Sequence, residues 1–284
     1  MAFTLDIRSI MLFNTFLTVF LAFFMVYSLK TQKTYPGYLI WTISSICLGS
    51  GTLLISLRNF VPPFVSIVIA NILLSFCYIL LKRGTEVFFS AKTHSLIDGL
   101  LMALFACSFV YFTINPDIKL RIATILIFNS YIFSCLAVIL ARGTAAVFEK
   151  TDFFLVGEML LMVILALIML FSVHLFCSPH IQDICKIGNV YSFQIMVISS
   201  LTVIVYLSLI SLNNRKLSWE LARSEKESSE LRKLLPICSH CRKIRTKTGD
   251  WHDFDRYISS TEAIDFTHSF CDNCAETLYP ELMD

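Results

Sequence analysis

The sequence predicts a mainly α fold in three parts. A seven-transmembrane helix bundle covers residues 1–212. A cytoplasmic coiled-coil helix covers 213–235, and a small zinc-ribbon-like α+β module covers 236–284. Three observations predict this. Hydrophobic residues make up 56% of the chain and charged residues only 15%, with mean hydropathy +0.71, outside the range of a soluble globule. Seven apolar stretches are each long enough to cross a bilayer, which needs about 20 residues. Four cysteines near the end form two identical pairs, Cys238-Ser-His-Cys241 and Cys271-Asp-Asn-Cys274.

The apolar stretches run near 9–29, 38–57, 62–81, 96–114, 120–141, 153–176 and 190–212. Turn-forming runs separate several of them, at Tyr35-Pro36-Gly37, Val61-Pro62-Pro63 and Asn115-Pro116-Asp117. The first stretch has no strongly basic leader and no small-residue cleavage site after it. It reads as a span rather than a cleaved signal peptide.

Orientation follows from the basic residues. One set of connections carries Lys30, Lys33, Lys82, Arg83, Lys92, Arg142 and Lys150. The other carries Arg58, Lys119, Arg121 and Lys186, with Arg8 at the N-terminus. Arg215 and Lys216 follow the seventh span directly. The expected topology puts the N-terminus outside and the tail in the cytoplasm, a reducing compartment where thiolates can hold metal. From 213 onward there are eleven Lys/Arg and thirteen Asp/Glu. No basic face is available there, so nucleic-acid binding is not expected.

An internal repeat links the third and fifth spans. Ser75 precedes Lys82-Arg-Gly-Thr85 as Ser134 precedes Ala141-Arg-Gly-Thr144, and each is followed by a span with a carboxylate near its start, Asp98 or Glu158. An ionisable group inside a span is costly, so Asp98 and Glu158 are candidate functional residues, with Asn71 and Asn129 as polar intramembrane candidates. Asn14, His174 and Gln194 are further polar positions. The structural alternative pairs Asp98 and Glu158 with Arg83 and Arg142. It makes Asn71 and Asn129 hydrogen-bonding links between helices. Cys177 and Cys185 bracket the last outer loop and are candidates for a disulfide. Cys47, Cys77, Cys107 and Cys135 lie in spans and read as small packing residues.

The run Asp6-Ile-Arg8, the loop Lys33-Thr-Tyr-Pro-Gly37, and Leu57-Arg58 followed by Pro62-Pro63 and Ser66-Ile-Val-Ile-Ala-Asn71 carry a resemblance. The region resembles the seven-helix sensor domain of bacterial diguanylate cyclases. That implies membrane sensing. The Gly-Gly-Asp/Glu-Glu-Phe motif of the cyclase domain is absent from the sequence, so cyclase activity is not implied.

Past the last span, Ile210, Asn214, Leu217, Leu221, Ser224, Ser228, Leu231 and Leu235 alternate by four and three, a heptad seam through which a homodimer is expected. Pro236 stops the helix. In the cysteine module, Arg242–Thr246 and Asp250–His252 flank a Lys-Thr-Gly turn and predict a hairpin. A short helix follows over Asp253–Ile258, and another opens at Cys274. Two Cys-x2-Cys knuckles satisfy one tetrahedral site. Cys238, Cys241, Cys271 and Cys274 are therefore the candidate ligands for Zn2+, with iron of the same geometry or two redox dithiols as alternatives. So small a module needs such a staple.

The runs Leu234–Arg245, Trp251-His252, Tyr257-Ile258, Phe266–Cys274 and Leu278-Tyr-Pro-Glu281 resemble a four-cysteine module that ends many bacterial receiver-domain and PAS-domain signalling proteins. That implies a two-component-type context and a cytoplasmic signalling partner, with no reaction attached. The combined expectation is a bacterial inner-membrane sensor, not an enzyme. Two other readings stay open: a thiol or metal redox sensor, and a membrane enzyme or transporter using Asp98, Glu158 and His94.

Overall fold

Apolar runs that cannot be solvated along their length bury their backbone polar groups in helices, and a computed structural model of the chain places seven of them. It describes residues 7–93, 95–115, 117–176, 189–232, 236–246, 249–262, and 269, 271, 274, 277 and 278. The helices are α1 (Ile7–Thr31), α2 (Tyr38–Ser56), α3 (Ala70–Phe88), α4 (Ser95–Ile114), α5 (Ile118–Phe148), α6 (Phe153–Phe176) and α7 (Asn189–Arg232). All seven contain a stretch long and apolar enough to cross a membrane. Their outward faces fit that solvent. On α1, Phe13, Phe16, Phe20 and Phe23 are 62–70% exposed, a surface that water would not tolerate and lipid does. The chain has the make-up of a multi-pass membrane protein.

Hydrogen bonds between neighbours show the helices alternating in direction. Thr15 Oγ1 meets Ser56 Oγ at 2.9 Å, and one turn on Thr18 Oγ1 meets Thr52 Oγ1 at 3.1 Å, joining α1 to α2. The buried face of α2 is made of small and polar residues around Trp41, among them Ser44, Ser45, Gly49, Gly51 and Thr52. Small residues let helix backbones approach closely in a membrane, where packing and hydrogen bonds replace the hydrophobic drive. Ser44 donates to the Cys77 carbonyl of α3 at 2.6 Å and pairs with the Tyr206 hydroxyl of α7 at 2.5 Å. Trp41 Nε1 donates to Leu81 O and Thr85 Oγ1, both at 3.2 Å. Buried Leu21, Met25, Tyr38, Leu81, Phe109, Ile132, Leu136 and Leu209 fill the core around these links.

Three features differ from the sequence reading. The segment Phe64–Ile69 before α3 is a π-helix, not a plain helical start. Helices α3 and α5 run to Phe88 and Phe148, seven residues beyond the predicted ends. Lys82, Arg83 and Arg142 therefore belong to helices rather than to connections. The first compact unit reaches Trp219, so the predicted stalk residues 213–219 pack with the bundle.

The repeat of the third and fifth spans has a physical counterpart. A Cβ at Gly84 would collide with Trp41, and one at Gly143 would collide with Phe89. Both threonines that follow bond the carbonyl four residues back, Thr85 at 2.9 Å and Thr144 at 2.7 Å.

The second compact unit begins at Glu220. Its predicted hairpin is present: β1 (Ile244–Arg245) pairs antiparallel with β2 (Trp251–His252), Ile244 opposite His252. Gly249 has φ +99° in the turn, a conformation that favours glycine, and its N–H reaches Thr246 O at 3.0 Å. Helix α8 (Phe254–Glu262) follows and ends four residues later than expected. Ile244 is fully buried. Most of the predicted final helix lies outside the described residues.

Candidate functional site

The polar residues of the spans separate into two groups. Asn14 of α1, Asn71 of α3 and Asn129 of α5 line a single cavity of about 210 Å³. It lies in the half of the bundle nearest the N-terminal end of α1. Its walls come from α1, α2, the π segment, α3, α5, α6 and α7. Leu48, Leu74, Leu126 and Met169 give it an apolar body, and Thr18, Thr52 and Thr202 add hydroxyls. Asn71 donates to Ile67 O at 2.7 Å, within its own helical segment. Asn129 Oδ1 is buried and has no hydrogen-bond partner among the described residues. Neither asparagine links two helices among the described residues, which corrects the structural alternative given above. The π segment is what brings Ser66 and Asn71 to the cavity together. Insertions of this kind re-aim side chains and recur at functional sites.

Asp98 and Glu158 lie apart from the cavity and from each other's contacts. Asp98 is held by Lys82 Nζ at 2.6 and 2.8 Å, not by Arg83. Lys82 also pairs with Glu86 at 2.9 Å, and Arg83 reaches Glu86 at 3.6 Å. Lys82, Glu86 and Asp98 are all at least 96% buried. This three-residue cluster was missed because Lys82 was assigned to a connection. Its signal is the i, i+4 spacing of Lys82 and Glu86 directly after the predicted end of the third span at residue 81. Glu158 accepts from Ser208 of α7 at 2.8 Å, whereas Arg142 is exposed and makes no ion pair among the described residues. His174 is exposed, and Gln194 donates to Ser172 at 3.2 Å. His94, Cys177 and Cys185 lie outside the described residues.

A second arrangement not foreseen in the sequence surrounds α7 at the opposite end of the bundle. Asn213 Oδ1 accepts from Tyr35 N at 3.1 Å, and Lys216 Nζ lies over the rings of Tyr35 and Phe88 at 4.4 and 4.8 Å. On the other side Arg215 pairs with Asp152 and lies over the Phe148 ring at 5.3 Å. Trp219 packs edge-on against Phe148. The Tyr-Pro-Gly turn after α1 is part of this clamp: Gly37 has φ +100°, and a Cβ there would strike the Gly84 carbonyl.

In the cysteine module the first knuckle is well formed. Cys238 N donates to Lys243 O at 2.8 Å, and Arg242, in the left-handed region with φ 61°, returns its N–H to Cys238 O at 3.0 Å. The backbone N–H groups of Cys241 and His240, with the Cys241 thiol, hydrogen-bond the Cys238 sulfur and hold its thiol below the ordinary thiol range. That direction favours the thiolate, the form in which cysteine ligates a metal. In the second pair Cys274 N donates to Cys271 O at 2.9 Å. No disulfide joins the described cysteines. Among the described residues no three His, Cys, Asp or Glu side chains converge at ligating distance. The donor chemistry and the turn of the first knuckle fit Zn2+.

No protein-family model, curated protein or solved structure matches the chain.

Proposed function

We propose that the protein is a membrane signal transducer. The bundle receives a membrane-borne or external cue, and α7 passes it to a cytoplasmic cysteine module that binds zinc and engages a signalling partner. The observation that carries this reading is α7 itself. One unbroken helix of 44 residues contributes Ile195, Ile198, Ser199 and Thr202 to the cavity wall, Asn213, Arg215 and Lys216 to the clamp, and the heptad positions that follow. A change in packing at one end has a direct route to the other.

Cys238, Cys241, Cys271 and Cys274 would hold Zn2+, which supplies folding energy to a module too small to build a large core. The basic connections and the odd number of spans support an inner-membrane protein with the N-terminus outside. The heptad positions support a parallel homodimer, because Leu221 is exposed along an otherwise solvated stretch of α7. Asp98 and Glu158 are each engaged by separate partners and neither lines the cavity, which weighs against the enzyme or transporter reading.

The test uses the full-length protein. About one zinc per chain is expected by elemental analysis, lost in Cys238→Ser and in Cys274→Ser. A cysteine at Leu221 should crosslink two chains far better than one at Arg223, and the yield at Leu221 should change with the cue. Metal retained in both serine variants removes the zinc site, and equal crosslinking at the two positions removes the dimer seam. A second reading, a thiol redox sensor, is favoured by the lowered thiol of Cys238 beside the exposed Cys241. It requires zinc release on mild oxidation with reversible thiol loss.

A further inference from the structure

We infer that the intramembrane cavity binds a small neutral molecule with an apolar body and a hydroxyl or N–H donor, of the size and polarity of an alkylphenol. This rests on the sensor reading above for its biological meaning, but not for its chemistry.

Size comes first. The space of about 210 Å³ exceeds the roughly 150 Å³ of an apolar cavity that takes up benzene, so one substituted ring fits. Charge comes next. Among the residues that line the cavity there is no carboxylate, lysine or histidine, and Arg58 is the single charged one. Nothing there would neutralise a cation. Among the polar groups, two asparagine oxygens are set as acceptors. Thr202 spends its hydroxyl proton on Ile198 O at 2.9 Å, and Thr18 and Thr52 are taken up by each other at 3.1 Å and by carbonyls of their own helices. Asn71 donates one of its two amide N–H groups to Ile67 O, and its side-chain oxygen is left for another donor. Asn129 Oδ1 is buried without a partner among the described residues. An unmatched acceptor calls for a donor on the ligand. A buried acceptor left unmatched is costly, on the order of 1–3 kcal/mol. Water alone would meet the amides but leave the face of Leu48, Leu74, Leu126 and Met169 unfilled. A molecule with one donor and an apolar ring matches both halves.

Two isomers separate the donor from the apolar body. Para-ethylphenol and para-methylanisole have the same atoms, but only the phenol donates. Full-length protein in lipid nanodiscs is equilibrated with each by dialysis against empty nanodiscs, which removes the contribution of lipid partitioning. The phenol should bind saturably at one per chain and roughly tenfold more tightly than the anisole. Asn129→Leu should close most of that gap by weakening the phenol alone. Ser199→Phe should fill the space and abolish binding of both, with Ser199→Leu as the milder version if the first does not fold. Equal affinity of the two isomers for the wild type, absence of saturable binding, or full binding in a folded Ser199 variant would each overturn the assignment. The signalling role is read separately, by crosslinking at a Leu221 cysteine. Saturable phenol binding with an unchanged crosslink keeps the site and removes the sensor role. A crosslink that responds to other cues while phenol does not bind keeps the sensor and removes the site.

Discussion

Lys82 stands between two carboxylates inside the bundle, and its removal should be the most damaging single change among the charged residues described. Lys82→Met leaves Glu86 and Asp98 without their shared cation, with only Arg83 near Glu86, and should lower stability by about 3–5 kcal/mol. Asp98→Asn should be milder, since Lys82 keeps Glu86. Thermal unfolding in nanodiscs orders the two. Equal effects would mean that Asp98 carries the whole cluster. At this scale the sequence was legible in type but not in pairing. Asp98 stood out as a charge within a span. Its partner did not, because Lys82 and Arg83 are adjacent and only the phase of α3 decides which faces α4. The asparagines show the same limit. Their presence inside spans is plain in the sequence, whereas their convergence on one cavity depends on a π segment with no strong sequence mark beyond Pro62-Pro63 and a β-branched run.

At the scale of elements, α7 depends on its clamp. Lys216→Ala removes contacts with two aromatic rings and should destabilise the bundle by roughly 1–2 kcal/mol. Lys226→Ala, on the exposed stretch of the same helix, should leave it unchanged. Equal thermal shifts for the two would mean that the rings add nothing beyond helix packing. The seven helices were readable from apolar length, and the hairpin from its Lys-Thr-Gly turn. The helix ends were less readable. Lys82-Arg-Gly-Thr85 and Ala141-Arg-Gly-Thr144 look like the polar close of a span. In the fold their glycines are contact points against Trp41 and Phe89, and polar composition alone does not distinguish a loop from a tight helix crossing.

For the whole molecule, alternating helix directions put the start of α1 and the exit of α7 at opposite ends of the bundle. Reporter fusions should therefore find residue 2 outside and the end of the chain in the cytoplasm. A periplasm-active reporter after residue 284 would reverse the topology, and with it the reducing environment proposed to keep Cys238 and its neighbours free of disulfides. The division into an apolar bundle and a small cysteine module is legible from composition. The exact boundary is not: residues 213–219 carry charge like a stalk yet pack against the bundle through Asn213, Lys216 and Trp219.

Between residues 189 and 232 α7 contains no glycine and no proline. Mechanically it is a shaft without a joint. Thr202 in the cavity wall and Lys216 in the clamp are separated by about 21 Å of helix, at about 1.5 Å per residue. Because nothing along that length is built to bend, a twist imposed at one end can be absorbed only where the side chains of the shaft turn in their seats. The seats are the Tyr35 and Phe88 rings on one side and Phe148 with Asp152 on the other. Together they act as a bearing, one that resists sideways displacement through its aromatic walls. Rotation about the long axis would exchange one set of ring contacts for another. The motions left to such a part are rotation about its long axis, counted at about 100° per residue, and sliding along it.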